Sequence, residues 1–181
     1  MAETPPHWTL FAGERRLVAG PPAAVALEAL TAPQDEGPVL AFDDATGKVV
    51  DLDLRGSAAE VVARYALPAV ARGRGRPKLG VVAREITLLP RHWDWLAAQP
   101  GGASVALRKL VEQARRETAG SGERQARQAA AYAFMSCMAG DLPGYEEAIR
   151  ALFADDRPGV ETRTRPWPAD VRAHALKLAW G

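Results

Sequence analysis

Residues that could support catalysis or metal binding are few in this 181-residue chain, and they lie far apart. His7, His92 and His174 have no second histidine three or four positions away, so no helix face offers a metal two imidazoles. Each is expected at the surface or as a cap. A single cysteine, Cys137, cannot close an internal disulfide, complete a CxxC pair or build a cysteine-rich zinc site. Set among Phe134, Met135 and Met138, it reads as a small core residue. Asp43 and Asp44 open the turn Asp43-Asp44-Ala45-Thr46-Gly47. Asp51 and Asp53 alternate with Val50, Leu52 and Leu54, as carboxylates do on the solvent face of a half-buried strand. Residues 73–80 lack the GK[ST] ending of a phosphate-binding loop. These patterns predict no catalytic residue, no metal, no cofactor and no enzyme.

What remains is the chemistry of positive charge. Lys and Arg number 23 against 22 Asp and Glu, yet the charges are sorted along the chain. Residues 1–71 carry a net −5, residues 72–127 a net +7 and residues 128–181 a net −1. A local excess of this kind attracts a polyanion even when the total is near zero. Its densest stretch is Ala71-Arg72-Gly73-Arg74-Gly75-Arg76-Pro77-Lys78, which has no periodicity and reads as a linker. Arg74-Gly75-Arg76-Pro77 resembles the core of an AT-hook. That resemblance implies an extended backbone opened by glycine, with two guanidiniums along the narrow, negative minor groove of A·T-rich DNA. Asp51-Leu52-Asp53-Leu54-Arg55 resembles the DxD start of haloacid-dehalogenase-like phosphatases, but the strand alternation accounts for both aspartates.

Several elements must position these groups. Strands are expected near residues 8–11 and 16–18, then a helix over 21–30 with Pro22 in its first turn. A second hairpin, 39–42 with 48–54, flanks the 43–47 turn. Ser57 and Glu60 form a capping box for the next helix, giving the order ββαββα. After the linker, residues 79–89 are rich in Val, Ile, Thr and Leu and should be extended. A short helix follows over 91–99, Pro100-Gly101-Gly102 ends it, and a longer helix begins near Ser104. There Ala103, Ala106, Leu107, Leu110, Val111 and Ala114 form one apolar face. Gly120-Ser121-Gly122 is expected to break the chain before a helix over 123–138. A helix with Tyr145, Ile149, Leu152 and Phe153 comes next, then a proline-bounded loop over 160–168 and a closing helix over 171–180.

Residues 84–111 resemble the ribbon-helix-helix DNA-binding fold: an extended segment ending in Leu89-Pro90, a short helix with Trp93, Leu96 and Ala97 facing in, a Gly turn, and a Ser-led helix. The resemblance implies a homodimer, because one strand cannot satisfy its own ladder. It also implies a groove face of Arg84, Ile86 and Leu88 and a phosphate clamp at the amides of Gly102 to Ser104. Two of those three strand residues are aliphatic and cannot discriminate bases by hydrogen bonding. A buried strand in an intramolecular sheet therefore stays an alternative. So does a helix-turn-helix presenting Arg108, Lys109 and Gln113.

With 48% apolar and 25% charged residues, the composition excludes wholesale disorder. No apolar run reaches the roughly 20 residues of a membrane helix. Residues 1–9 lack a basic start and an apolar stretch, so a cytoplasmic protein without membrane contact is expected. Phe42-Asp43-Asp44-Ala45-Thr46-Gly47, Asp51-Leu52-Asp53-Leu54-Arg55-Gly56, Gly75-Arg76-Pro77 through Gly101-Gly102-Ala103-Ser104, Met138-Ala139-Gly140-Asp141 and Trp167-Pro168-Ala169-Asp170-Val171-Arg172 resemble an uncharacterised bacterial family, domain of unknown function 2239. That family implies no activity. The expected fold is α+β: an acidic ββαββα unit over 1–70, a basic linker over 71–78, a ribbon-helix-helix-like segment over 79–119 and a helical region over 120–181. The expected function is a homodimeric DNA-binding protein, a transcriptional regulator or antitoxin-like repressor. DNA contacts would come from Arg72, Arg74, Arg76, Lys78, Arg84, Gly102, Ser104, Arg108 and Lys109. The acidic unit could take a protein or a small ligand. The alternative is a non-enzymatic interaction or scaffold protein whose central helices are only core.

Overall fold

In the computed structural model, residues 5–33, 35–67 and 84–181 are described, the last range without the side chains of 116–119. Four strands, β1 (Trp8–Ala12), β2 (Arg15–Gly20), β3 (Val39–Asp43) and β4 (Val49–Val50), form an antiparallel sheet in the order β2-β1-β3-β4. Helix α1 (Pro22–Ala29) follows β2, and α2 (Ala58–Tyr65) follows β4, so the expected ββαββα order is present in an α+β fold. β1 is central, and Thr9 to Ala12 are all buried, which explains its almost unbroken apolar run. The register places Leu10 beside Ala41 and Phe11 beside Leu40, so alternate residues serve opposite faces. Leu10 and Ala41 pack with Val25 of α1. Ser57 caps α2 through the expected box, its hydroxyl accepting from the Glu60 N–H while its own N–H donates to the Glu60 carboxylate.

The second pairing is shorter than the alternation predicts. Pairing of β3 with β4 ends at Ala41 and Val50. Beyond it the chain is tied to α2: the Asp53 N–H donates to Tyr65 Oη at 2.7 Å and Arg64 Nη1 donates to the Asp53 carbonyl at 2.6 Å.

Downstream come α3 (Pro90–Ala97), α4 (Gly102–Met138), α5 (Tyr145–Phe153), α6 (Arg157–Arg163) and α7 (Ala169–Trp180). The chain divides into two compact units, residues 1–68 with 123–181, and residues 69–122. In the first unit Phe11 and Phe42 meet Phe134 and Met135 of α4, Leu152 of α5, Val160 of α6 and Val171 and Leu178 of α7. Its sheet therefore lies between α1 on one face and the later helices on the other. Gly47, at φ +66°, closes the hairpin turn so near the Ala130 carbonyl of α4 that a Cβ there would overlap it.

Four expectations are corrected. Gly120-Ser121-Gly122 does not break the chain, since α4 runs through it. Residues 157–163 are helical, where a loop over 160–168 was expected, because Asp156 caps α6 by accepting from the Gly159 N–H. Cys137 is exposed. Helices keep period 3.6, and Ala130, Ala131, Phe134 and Met135 define a buried face from which position 137 points away. His174 is fully buried rather than superficial. Among the described residues, no helix is long and apolar enough to cross a membrane.

Candidate functional site

The unit over 69–122 holds the expected DNA contacts that can be placed. Arg72, Arg74, Arg76 and Lys78 lie outside the described residues. Residues 84–89 form neither helix nor strand among the described residues, with Leu89 extended at φ −66° and ψ 149°, Arg84 exposed and Ile86 and Leu89 each 48% exposed. Pro90 then starts α3, as its fixed φ and missing N–H favour at a first helical position. Of the three residues expected to face inward, only Leu96 does so. Trp93 and Ala97 are exposed.

Gly101 and Gly102 adopt φ of +89° and +71°, conformations that glycine reaches without the Cβ clash other residues meet, and they turn the chain into α4. Gly102 and Ser104 lie in the first turn, and the Arg108 Nε–H donates to the Ser104 carbonyl at 3.1 Å. Lys109 follows, exposed and without an ion pair among the described residues. Gly102, Ser104, Arg108 and Lys109 thus lie near the start of one helix, while Arg84 stands on the segment before α3. The apolar stripe of α4 is only partly covered: Ala106 is buried, but Leu110 and Val111 are exposed. Trp95, which the sequence reading did not single out, is 52% exposed and borders two shallow grooves. Its signal was an aromatic two positions from Trp93 and one from Leu96, off the buried edge of a short helix.

A second constellation, in the other unit, joins residues distant in sequence. The Asp44 carboxylate accepts from Thr9 Oγ1 at 2.7 Å and Lys177 Nζ at 2.8 Å, and lies 2.9 Å from His7 Nδ1. Burial pushes its pKa up, but the hydrogen bonds from Lys177, Thr9 and His7 outweigh that and hold it below the usual carboxylate range. His174 sits against the rings of Phe11 and Phe134, at centroid distances of 5.5 and 4.6 Å. Neither of its ring nitrogens has a hydrogen-bond partner among the described residues, and Nε2 is 3.6 Å from Asp44 Oδ1. Burial drives its pKa down to about 4 despite the pull of Asp44, and Lys177, Arg16 and His7 add to the depression. The ring is therefore neutral at pH 7. With Lys177 on Asp44, the cluster suits a structural ion pair more than a cation site, and among the described residues no group of three His, Cys, Asp or Glu could hold a metal. The turn and helix signals were legible, but nothing local links Asp44 to Lys177. At the far end of the sheet, Ala29, Val39, Val50, Asp51 and Leu52 border a cleft of about 400 Å³.

Residues 7–179 match the family model of domain of unknown function 2239, described as an uncharacterized protein conserved in bacteria. The chain belongs to that family. No curated protein and no solved structure matches it.

Proposed function

We propose that this member of an uncharacterized bacterial family is a non-enzymatic DNA-binding protein, a transcriptional regulator or antitoxin-like repressor that holds the phosphate backbone through residues 69–122. The observation carrying this reading is the sorting of charge between the two compact units. Residues 69–122 contain ten Lys and Arg against four Asp and Glu, and the remainder contains 13 against 18. Among the described cations, Arg84, Arg108 and Lys109 are exposed without a carboxylate partner, so their field is available to phosphate. Residues 84–89 join no strand among the described residues and leave the side chains of Ile86 and Leu89 exposed, which supports pairing with a second copy as in a ribbon-helix-helix dimer. The Arg-rich run from Arg72 to Lys78 would add backbone contacts.

The test is a salt series of binding to random and A·T-rich duplexes, with mass measured in solution. A dimer is expected whose log affinity falls linearly with log salt. Arg108→Ala and Lys109→Ala should each flatten that slope by about 0.9. Affinity indifferent to salt, or a monomer that ignores DNA, overturns the reading. The exposed Leu110 and Val111 favour a second reading, a protein-interaction or scaffold role, for which those last results would speak. The cleft beside Val39 and Asp51 is where the acidic unit could take a small ligand or protein segment.

A further inference from the structure

We propose that the unit over 69–122 binds single-stranded nucleic acid by stacking a base on Trp95, with Lys109 reaching the adjoining phosphate. This rests on the DNA-binding reading above and names the form of nucleic acid that this surface favours.

Trp95 is a large aromatic side chain left 52% exposed beside two grooves. One groove, of about 170 Å³, is bordered by Trp95, Gln99, Pro100, Ala106, Lys109 and Leu110. A second groove, of about 240 Å³, is bordered by Trp95, Leu88, His92, Leu96, Leu107 and Leu110. An indole 52% exposed that walls two grooves is an available stacking platform. Each groove falls below the roughly 300 Å³ at which pockets for whole ligands begin, so a single planar group is the size that fits.

Charge selects among planar groups. Lys109 borders the first groove, Arg108 precedes it and Arg91 lies on α3, in a unit with a net charge of +6. A nucleobase attached to a phosphodiester joins the two chemistries this surface offers, an aromatic ring and a cation bordering the same groove. A second copy fits less well. A two-fold interface sets a patch against itself, which would bring Lys109 and Arg108 towards their counterparts. A duplex also fits less well at this point, because its bases are stacked on one another and their faces are not free. Trp95 is held ready by its helix: the Gln99 side-chain amide donates to the Trp95 carbonyl at 3.2 Å, one turn on.

The test uses the full chain with a labelled oligothymidylate of about 15 nucleotides and a duplex of equal length, read by fluorescence anisotropy. The parent should bind the single strand saturably. Trp95→Ala should weaken that binding about tenfold and leave duplex affinity and solution mass unchanged. Trp95→Phe should recover most of the loss, since it keeps an aromatic face. No saturable binding of oligothymidylate overturns the inference, and salt-dependent duplex binding in the same experiment would leave the DNA reading standing. If Trp95→Ala weakens single strand and duplex equally, or changes the mass, the ring is a structural or dimer contact and the inference fails.

Discussion

Acidification between pH 6.5 and 4 should loosen the sheet-bearing unit through one side chain, His174. An unfolded histidine takes up its proton near pH 6.5, whereas the folded ring resists until about pH 4. In that window the unfolded chain binds more protons than the folded one, so stability falls as pH falls. Linkage sets the loss at about 2 kcal/mol by pH 5, approaching about 3 kcal/mol below pH 4. Asp44 begins to act only at the foot of this window, where its unfolded carboxyl starts to take up a proton. Its folded pKa is depressed, so its contribution is complete above the ordinary carboxylate range and is lost only as pH drops through the lower folded value. Equilibrium urea unfolding at about pH 7, 6 and 5, followed by tryptophan fluorescence, measures the loss directly. His174→Phe removes the titration and keeps an aromatic ring against Phe11 and Phe134, so its free energy should stay level where the parent's declines. The comparison is of slopes against pH, which are insensitive to any constant packing cost of the substitution. A His174→Phe slope equal to the parent's between pH 7 and 5 would refute the assignment.

Two further outcomes follow from packing. Gly47→Ala should destabilise the sheet-bearing unit by more than about 3 kcal/mol, measured by urea unfolding, because the new Cβ meets a backbone carbonyl of α4 that no side-chain rotation can relieve, and the residue also holds a left-handed φ. Leu96→Ala should remove about 2 to 5 kcal/mol from the unit over 69–122, where Leu96 and Ala106 are the buried apolar side chains among the described residues. Hydrogen exchange should then show lost protection in α3 and the first turns of α4 while α5 to α7 keep theirs. Equal losses in both regions would show that the two units share one cooperative transition.

Local chemistry made much of the fold readable. The capping box at Ser57 and Glu60, the Asp43 to Gly47 turn and Pro22 in the first turn of α1 are decided within four or five residues, and each stands where the sequence placed it. Gly120-Ser121-Gly122 misled because each glycine costs about 1 kcal/mol in a helix interior, a sum that helix on both sides can absorb. β4 was drawn too long because alternation marks which face is buried, not whether a ladder partner lies alongside. His174 was legible in part: it stands with Val171, Ala175 and Leu178 at the spacing of one buried helix face. Its partner was not, since Asp44 and Lys177 are brought together by the packing of α7 on the sheet, which no local pattern encodes. For the candidate interface, Arg108 and Lys109 follow from helical spacing and Ser104 from the resemblance to ribbon-helix-helix proteins. The Trp95 grooves depend on how α3 meets α4, and so appear only in three dimensions.

The sheet-bearing unit is assembled from two separated stretches of chain, with 54 residues between them. On a ribosome delivering about 5 to 20 residues each second, Phe11 and Phe42 therefore emerge several seconds before Phe134 and still longer before α7. Until then one face of the nascent sheet is an uncovered aromatic surface bounded by open strand edges, the form of intermediate most inclined to associate with its neighbours. Synthesis of this protein thus depends on chain order: whatever slows translation across the intervening stretch lengthens the time in which newly made sheets can stick to one another.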